Sequence, residues 1–395
     1  MLLGLVGKPS CGKSTFFKAA TMADVLIAAY PFSTIKPNRG VGYVKIDCID
    51  KDFHVQCMPR TGYCVKGKRF VPVELMDVAG LVEGASEGRG LGNQFLDDLR
   101  QADLFIHLVD VSGTTDAEGK ETQAYDPVND VTMLENELDL WYLGLLSKVW
   151  KVFARTVQNS KENFAKAVAK QFSGLKVNED DVKEVLMKLK CDPEKPAQWT
   201  SEQLKNFAHE LRHLTKPMII AANKIDKKDS AKNLENLKKE YPHLTIIPCS
   251  ADSELALRNA SKAGIIEYLP GDSDFKINES KINDLQKKAL ENIKKNILEV
   301  YGSTGVQNVL NTAIFDLLKY IAVFPAGASK LADSKGNILP DCFLVPNGTT
   351  SLDFAYRLHT DLGDNFIRAI DAHTKQVIGK EHKLKHRDGV EIITR

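Results

Sequence analysis

Eight residues near the N-terminus combine glycines, a lysine and a hydroxyl group in a spacing that binds phosphate. Residues 7–14 fit the pattern G-x-x-x-x-G-K-[ST]. The glycines let backbone N–H groups close around phosphate oxygens, Lys13 can reach β- and γ-phosphates, and the Ser14 hydroxyl can bind Mg²⁺. The predicted phosphate-binding residues are Gly7, Lys8, Pro9, Ser10, Cys11, Gly12, Lys13, Ser14 and Thr15.

Two further segments can complete a Mg²⁺ and γ-phosphate site. Asp77-Val78-Ala79-Gly80 has the form D-x-x-G, in which the carboxylate holds a Mg²⁺-bound water and the glycine N–H approaches the γ-phosphate. Thr34 can join the Mg²⁺ shell when a γ-phosphate is present. Either segment by itself is also typical of an ordinary turn. We predict that Lys13, Thr34 and Gly80 act in catalysis and that Ser14, Thr34 and Asp77 serve Mg²⁺.

A further motif can recognise a purine base. Asn223-Lys224-Ile225-Asp226 fits N-K-x-D. The Asp226 carboxylate can accept from N1–H and the 2-amino group of guanine, Asn223 can reach N7 and O6, and the Lys224 stem can flank the ring. A backbone N–H of Ser250 or Ala251 would lie near O6. Adenine would leave Asp226 unpaired, a mismatch that can cost about 10⁴-fold.

A competing motif is His209-Glu210-Leu211-Arg212-His213, which fits H-E-x-x-H. On a helix this spacing places two zinc ligands on one face with a general base beside them. However, it ends shortly before the strand that leads to Asn223, and no further ligand stands at a nearby metzincin-like spacing. We therefore favour a solvated helix end over a zinc peptidase.

Short apolar runs supply the elements that must position these motifs. Each is short enough for a buried strand, ends close to Gly, Asp, Asn or Ser, and several leave room for a helix before the next. Strands that alternate with helices predict a doubly wound sheet. In a sheet of this kind the ligand site lies at the carboxyl ends of the strands. The fold class predicted is α/β, a doubly wound, mostly parallel sheet of the P-loop NTPase type. The runs are 2–6, 71–76, 104–109, 217–222 and 244–248.

Changes in composition predict three domains in the 395 residues. A discontinuous P-loop domain covers 1–130 and 215–322, with a long helical run over 280–320. An α-helical insertion covers 131–214. A small α+β domain covers 323–395 and alternates short strands, at 342–345 and 390–394, with a helix over 352–358.

Composition limits the classes of function. The formal net charge of +1 excludes a globally basic nucleic-acid binder, and we expect no DNA partner. The seven cysteines are odd in number and contain no C-x-x-C pair, which favours free buried thiols over a zinc ribbon or disulfide framework. No apolar run approaches the roughly 18 residues that span a bilayer. We expect a cytoplasmic protein without a membrane partner.

Basic residues nevertheless cluster locally. Residues 148–176 hold seven Lys or Arg against one acid, Glu162, beside an apolar stripe of Trp150, Phe153, Phe164, Val168 and Phe172. A solvated helix face and an RNA- or ribosome-binding face both remain open. The C-terminal domain adds a second group that contains Lys375, Lys380, Lys383, Lys385, Arg387 and Arg395.

Four nucleotide motifs in this order, each at a strand end, together indicate a GTPase switch. Leu81 stands where many GTPases carry the glutamine that orients the attacking water, so we predict slow intrinsic hydrolysis. Leu81 also motivates the rival hypothesis of a regulatory scaffold that binds nucleotide with negligible turnover.

The motifs together resemble the Obg superfamily of translation-factor-class GTPases. The C-terminal stretch resembles a TGS domain, a β-grasp module, and the domain order resembles the YchF subfamily. The Obg-like segments are residues 7–14, 31–34, 77–85 and 88–92. The TGS-like segments are 339–341, 348–350, 353–355, His359, 366–367, His382, Leu384 and 388–389.

The resemblance implies GTP/GDP and Mg²⁺ as cofactors and a ribosome, rRNA or tRNA partner reached through the TGS and helical domains. Bacterial and animal YchF proteins carry N-x-x-E and favour ATP, whereas Asp226 restores the guanine pattern. An ATPase of the YchF kind is therefore the third alternative. Ser10 stands where many Obg relatives have the asparagine that helps hold K⁺, which argues against K⁺ as a further cofactor.

Overall fold

The protein is described by a computed structural model that covers residues 1–21, 39–77, 100–327, 331–333 and 335–395. The chain divides into two compact units. Unit 1 comprises Met1–Ala19 and Leu75–Val309, and unit 2 comprises Ala20–Glu74 and Leu310–Arg395. The strands, in chain order, are β1 (Leu2–Val6), β2 (Arg39–Asp47), β3 (Tyr63–Val65), β4 (Lys68–Asp77), β5 (Leu104–Asp110), β6 (Met218–Asn223), β7 (Thr245–Pro248), β8 (Ile266–Glu267), β9 (Lys276–Ile277), β10 (Tyr320–Pro325), β11 (Phe343–Pro346), β12 (Phe366–Asp371), β13 (Val377–Ile378) and β14 (Gly389–Thr394).

The helices of the described residues alternate with the strands in the first half of the chain and also form the insertion. They are α1 (Lys13–Thr21), α2 (Val128–Ser160), α3 (Phe164–Gln171), α4 (Glu179–Leu189), α5 (Ser201–Thr215), α6 (Ser230–Glu240), α7 (Ala251–Lys262), α8 (Asp284–Ile293), α9 (Glu299–Tyr301), α10 (Val306–Asn311), α11 (Ser351–Leu358) and α12 (Thr360–Asp364).

A parallel sheet organises unit 1. Strands β1, β5, β6 and β7 are neighbours in that order and pair in parallel. Strands β5 and β6 are buried along their whole length, as expected for continuous apolar runs that are covered on both faces. The register pairs Asp110 with Asn223 and Ala222 with Pro248, so the carboxyl ends of these strands reach one edge together. This arrangement confirms the predicted fold class.

Helices α2 to α5 form one apolar core in unit 1. Helices α4 and α5 begin at capping boxes on Asn178 and Thr200, whose side chains accept N–H groups of the first turn. Trp150, Phe164 and Phe207 pack ring against ring, with centroids 6.1 to 6.2 Å apart. The apolar stripe of the predicted basic segment is therefore part of this core. The exact domain boundaries remain a prediction.

A mixed five-stranded sheet in the order β11-β10-β14-β12-β13 organises the C-terminal part of unit 2. Only the pairing of β10 with β14 is parallel. Helix α11 begins at a capping box on Thr350 and buries Phe354 and Ala355. The predicted helix over 352–358 and the two predicted strands are confirmed. In the N-terminal part of unit 2, β3 and β4 form an antiparallel hairpin.

The predicted helical run over 280–320 is wrong at both ends and at a break between them, and its first helix begins at Asp284. The chain leaves the helix at Gly302 and Gly305, which have φ of +77° and +85°. A Cβ on Gly305 would lie 2.0 Å from the carbonyl oxygen of Pro248, so only glycine fits where this turn passes the end of β7. Tyr320 begins strand β10 and is not helical.

In the described ranges we find no helix with the length and apolar character needed to cross a bilayer.

A buried lysine joins the start of β5 to the end of the helical insertion in unit 1. The Lys216 ammonium is fully buried and donates to the carbonyl oxygens of Arg100 and Ala102 at 2.8 and 2.7 Å. Burial, with a smaller contribution from the charge of Lys176, lowers the pKa of Lys216 to about 8, against the attraction of Asp103.

This lowered pKa predicts a pH-dependent stability. Between pH 8 and about 10.4 the unfolded chain binds more protons at Lys216 than the folded chain, so the folded state gains stability as the pH rises. Relative to Lys216→Met, the wild-type protein should gain up to about 3 kcal/mol across this window and nothing below it. Thermal unfolding midpoints from pH 7 to 10.5 test this, with the exposed Lys205→Met as control. A constant difference between wild type and Lys216→Met would contradict the assignment.

Candidate functional site

The loop between β1 and α1 has a conformation that depends on its glycines. Gly7 has φ of +146°, and a Cβ there would lie 2.5 Å from the carbonyl oxygen of Leu108 and 2.9 Å from Cys11 Sγ. Lys13 Nζ donates to the carbonyl oxygens of Gly7 and Lys8 at 2.9 and 2.8 Å. The ammonium group is thereby held inside the curve of the loop, where a phosphate would meet it.

Gly12 makes room for the side chain of Asn223. Gly12 has φ of +98°, and a Cβ would lie 2.2 Å from Asn223 Nδ2. The amide Nδ2 donates to the carbonyl oxygen of Cys11 at 2.9 Å, and Oδ1 accepts the Ala251 N–H at 3.1 Å. Asn223 thus joins the phosphate loop to the segment after β7, and both ends of its amide are used within the protein.

The backbone N–H groups proposed to read guanine O6 are also engaged. Ser250 N–H donates to the carbonyl oxygen of Thr304 at 2.9 Å, and Ala251 N–H donates to Asn223. The expected roles of Asn223, Ser250 and Ala251 at the base remain predictions, since each would need a partner exchange on binding.

Lys224 lies over a buried carboxylate at the end of β5. Lys224 Nζ contacts Asp110 Oδ2 at 2.7 Å, and the Asp110 carboxylate is fully buried. Asp110 also accepts hydrogen bonds from the hydroxyl groups of Ser112 and Thr115 at 2.5 and 2.7 Å. Burial raises the pKa of Asp110, but Lys224 and the two hydroxyl groups together hold it below its usual value. Asp110 therefore holds Lys224, the lysine of N-K-x-D, in position.

The Asp226 carboxylate is oriented by a neighbouring hydroxyl. Ser250 Oγ lies 2.8 Å from Asp226 Oδ1, and Lys227 Nζ lies 3.2 Å from Oδ2. Ser250 Oγ also lies 2.8 Å from Ser253 Oγ. The side chain is partly exposed to the cleft, so its carboxylate can face a bound base.

Ser14 and Asp77 meet at the other end of the site. Ser14 Oγ donates to Asp77 Oδ2 at 3.1 Å. Burial raises the pKa of Asp77, opposed by this hydrogen bond and by the Lys13 charge. A hydroxyl and a carboxylate oxygen at this distance match the oxygen ligands that Mg²⁺ prefers. The residues present therefore fit the expected ion.

Thr34, Gly80 and Leu81 lie outside the described residues, as do the glycines of 84–92. Their predicted parts in Mg²⁺ binding and hydrolysis remain predictions from the sequence.

The side chain of Lys8 points away from the phosphate loop. Its Nζ lies 2.9 Å from Asp130 Oδ2, donates to the carbonyl oxygen of Thr115 at 2.8 Å and sits 4.0 Å from the Tyr125 ring centre. Because only 1% of Lys8 is exposed and its side chain is already bound, Lys8 can contact a phosphate only through its backbone. The side chain of Lys8 contacts the segment 110–130. This segment contains no recognisable motif, so the sequence did not indicate that it supports the phosphate loop.

Gly119 in that segment also supports the phosphate loop. Gly119 has φ of +79°, and a Cβ there would lie 2.8 Å from both Cβ and the carbonyl oxygen of Pro9. The segment 110–130 therefore packs directly on the outer side of the loop, and a side chain at this position would displace it.

Residues of the N-K-x-D motif, together with Gly12 and Thr15, line one open cleft of about 1600 Å³. This volume exceeds the 300–1,000 Å³ that is common for ligand pockets because the cleft opens to solvent, and it leaves room for a nucleotide. Phosphate-loop residues lie on one side and N-K-x-D residues on another. Lining residues include Gly12, Thr15, Ser112, Gly113, Thr114, Asn223, Lys224 and Asp226.

The H-E-x-x-H motif lies within α5 as a salt-bridged cluster. His209 Nδ1 lies 2.6 Å from Asp139 Oδ2, and Arg212 donates to both Asp139 Oδ1 and His213 Nε2 at 2.8 Å. Glu210 contacts Lys188 Nζ at 2.5 Å. Nε2 of His213 and the proposed general base thus contact cations, which argues against a zinc peptidase, although Asp139, His209 and His213 each place one possible metal-ligand atom within 4.8 Å of the others.

Three family models match the chain. A model described as 50S ribosome-binding GTPase matches residues 2–137, and one described as the G4 motif-containing domain of Obg-like GTPases of the YGR210-like type matches 221–327. A TGS domain model matches 329–394.

Similar proteins cover most of the chain. A GTP-binding protein, MJ1332, of Methanocaldococcus jannaschii is 50% identical over 100% of this chain and 99% of its own length. The Bacillus subtilis protein with the name ribosome-binding ATPase YchF is 34% identical over 67% of this chain and 70% of its own. A solved GTP binding protein of Pyrococcus horikoshii has a TM-score of 0.80 and 40% identity and covers 100% of both chains.

The Gly12–Asn223 contact predicts that Gly12→Ala abolishes tight nucleotide binding. A Cβ at 2.2 Å from Asn223 Nδ2, on a residue with positive φ, would force the loop or the amide out of place. We expect at least about a 100-fold loss of GDP affinity, or about 2.7 kcal/mol. Titration with a fluorescent GDP measures the loss. Gly174→Ala, where a Cβ meets nothing within 4 Å, is the control, and equal affinities for both variants would refute the packing argument.

Proposed function

Because the chain belongs to the YchF-like branch of the Obg GTPase family, we propose that it is a Mg²⁺-dependent, GTP-hydrolysing switch that acts on ribosomes or other RNA. Its intrinsic turnover is slow, and ribosomes or RNA stimulate it. In this cycle GTP holds the switch segments through its γ-phosphate, and hydrolysis releases them.

The choice of guanine rests on the Asp226 carboxylate, which lines the cleft with Ser250 Oγ at 2.8 Å. This hydroxyl fixes the plane of the carboxylate, whose two oxygens keep further lone pairs for N–H donors of a base even with Ser250 on Oδ1 and Lys227 on Oδ2. Guanine presents two donors on that edge, N1–H and the 2-amino group, whereas adenine presents an acceptor at N1. An adenine base would therefore desolvate the carboxylate without donating a hydrogen bond to it.

Phosphate and ion chemistry support hydrolysis. When GTP and Mg²⁺ are bound, the phosphate-loop N–H groups and Lys13 stabilise the negative charge on the transferred phosphoryl group. Ser14 Oγ and Asp77 Oδ2, which lie 3.1 Å apart, would hold Mg²⁺, which would neutralise negative charge on the phosphates. Slow turnover is proposed from Leu81, whose aliphatic side chain cannot orient the attacking water.

Two groups of exposed lysines support an RNA partner. Lys161, Lys166 and Lys170 lie on the helical insertion in unit 1, and Lys380, Lys383 and Lys385 lie in unit 2. The aromatic side chains near the first group are mostly buried in the core, so they offer no stacking platform to bases. Binding would then rest on phosphate contacts, which depend strongly on salt but little on sequence.

Nucleotide competition tests the guanine proposal. We expect GTP and GDP to displace fluorescent GDP at concentrations orders of magnitude below ATP and ADP, because adenine cannot satisfy Asp226. Asp226→Asn should lose most of that preference, while Glu235→Gln, on another wall of the cleft, should keep it. Equal competition by adenine nucleotides would instead support the alternative activity in the printed name of the B. subtilis relative, an ATPase.

Single-turnover hydrolysis with and without ribosomes tests the switch. We expect slow release of phosphate by the protein alone and at least about a tenfold acceleration by ribosomes. No acceleration by ribosomes or RNA, combined with tight GTP binding, would favour the scaffold hypothesis.

Charge reversal tests which of the two lysine groups contacts RNA. Replacing either lysine group by glutamate should weaken ribosome binding at least about tenfold while GDP affinity stays unchanged. The matched control reverses three exposed lysines elsewhere in unit 1: Lys281, Lys288 and Lys295. Unchanged ribosome binding in both test variants would refute the proposed surfaces.

A further inference from the structure

Three cysteines and an aspartate meet in the N-terminal part of unit 2, away from any motif that the proposed function uses. Sγ of Cys48 and Sγ of Cys57 lie 3.6 Å apart, and Cys64 Sγ lies 3.6 Å from Asp50 Oδ2. One ligand atom from each of the four residues lies within 4.8 Å of all the others. We refer to Cys48, Asp50, Cys57 and Cys64 as the cysteine cluster.

The turn and hairpin after β2 bring these residues together. Cys48 follows the last residue of β2, and its N–H donates to the carbonyl oxygen of Gly67 at 2.9 Å. Asp50 lies in a short 3₁₀ turn, Ile49–Lys51, and its carbonyl oxygen accepts the Val55 N–H at 3.0 Å. Cys64 lies in β3, whose pairing with β4 fixes its position. The backbone thus holds the four side chains in place without a bond between sulfurs.

The spacing of the sulfurs matches metal ligands better than a disulfide. Two sulfurs bound to one tetrahedral zinc at about 2.3 Å lie roughly 3.8 Å apart, whereas a disulfide brings them to about 2.05 Å. The observed 3.6 Å lies close to the first value. Three thiolates and a carboxylate oxygen also form a closed set of four protein ligands, which is typical of structural rather than catalytic zinc.

Buried polar atoms around the cluster lack partners. Asp50 is 2% exposed, and its Oδ1 has no hydrogen-bond partner within the described ranges. Arg69, the cross-strand neighbour of Cys64, is fully buried, yet no carboxylate among the described residues lies within ion-pair distance. A buried guanidinium without a counter-charge is costly. Three thiolates and a carboxylate around a divalent ion carry a net charge of −2, which would supply that counter-charge.

We propose that the cysteine cluster is a structural Zn²⁺ site. Soft thiolate ligands select zinc over Mg²⁺ or Ca²⁺, which prefer oxygen. The C-x₂-C spacing of zinc ribbons is absent because the ligands come from the turn after β2, the following loop and β3. The proposal does not depend on the nucleotide chemistry of unit 1.

The ion would fix a loop on which the C-terminal part of unit 2 packs. Met58 N–H donates to the carbonyl oxygen of Ile338 at 2.8 Å, and Arg60 N–H donates to that of Pro340 at 2.9 Å. Arg69 donates to the carbonyl oxygens of Leu339 and Pro340 at 3.1 and 2.9 Å. The segment before β11 therefore takes several of its hydrogen bonds from the loop and hairpin that the zinc ligands hold.

Metal analysis of the full chain, purified without chelator from zinc-supplemented cells, tests the proposal. We expect about one zinc per chain by inductively coupled plasma mass spectrometry. Cys57→Ser and Cys64→Ser should each retain less than about a tenth of it. Cys191→Ser, a buried cysteine in unit 1, is the matched control and should keep its zinc. Asp50→Cys should also keep zinc, because it converts the ligand set to four thiolates.

A second set of measurements uses the wild-type chain and therefore does not depend on whether a variant folds. In the wild-type chain, Co²⁺ exchanged for Zn²⁺ should give thiolate-to-cobalt charge-transfer absorption and the visible bands of a tetrahedral site. A chelator should lower the thermal midpoint of wild type and leave fluorescent GDP bound until unfolding.

Two results would overturn the proposal. One is wild-type protein without zinc or cobalt uptake and with all seven thiols free, and the other is a Cys48–Cys57 disulfide found by mass spectrometry. Neither would affect the guanine competition result, so the two proposals fail independently.

Discussion

The nucleotide site depends on one amide side chain. Asn223 is 3% exposed and bonds with Nδ2 to the phosphate loop and with Oδ1 to the segment after β7. It occupies the space that a side chain on residue 12 would need. Because these backbone groups are buried, leaving either unpaired would cost about 1–3 kcal/mol. The contact fixes the position of the phosphate loop relative to the segment after β7.

Buried ion pairs set the outer wall of the same cleft. Lys8 is committed to Asp130 at 2.9 Å, and Lys224 to Asp110 at 2.7 Å, so neither ammonium is held for phosphate. Lys13 alone among the three lysines points into the curve of the loop. Buried carboxylates therefore hold two of these lysines, and the ammonium group of Lys13 is bound by carbonyl oxygens of the loop itself.

The sequence indicated some residues of the candidate site clearly and others not at all. Gly7, Gly12, Asn223 and Asp226 sit in patterns whose spacing is fixed by ligand chemistry, so the sequence was enough to predict them as candidate site residues. Asp110, Asp130 and Gly119 were missed because their partners lie at unrelated positions in the chain. The helical run over 280–320 was wrong at Gly305 because its close approach to Pro248 is a tertiary constraint. The cysteine cluster was missed for the same reason.

The sequence alone determined the parallel α/β sheet and the order of the nucleotide motifs, because both depend on local spacing and on apolar runs along the chain. The C-terminal TGS module was identified by its resemblance to a known domain. Tertiary structure decided what each polar side chain contacts. The register of β5 with β6 places Asp110 beside the start of N-K-x-D, and the fold after β2 brings three sulfurs and a carboxylate together. Such contacts join residues far apart in the chain, and a buried charge or thiol acquires its role from the partner that burial forces on it.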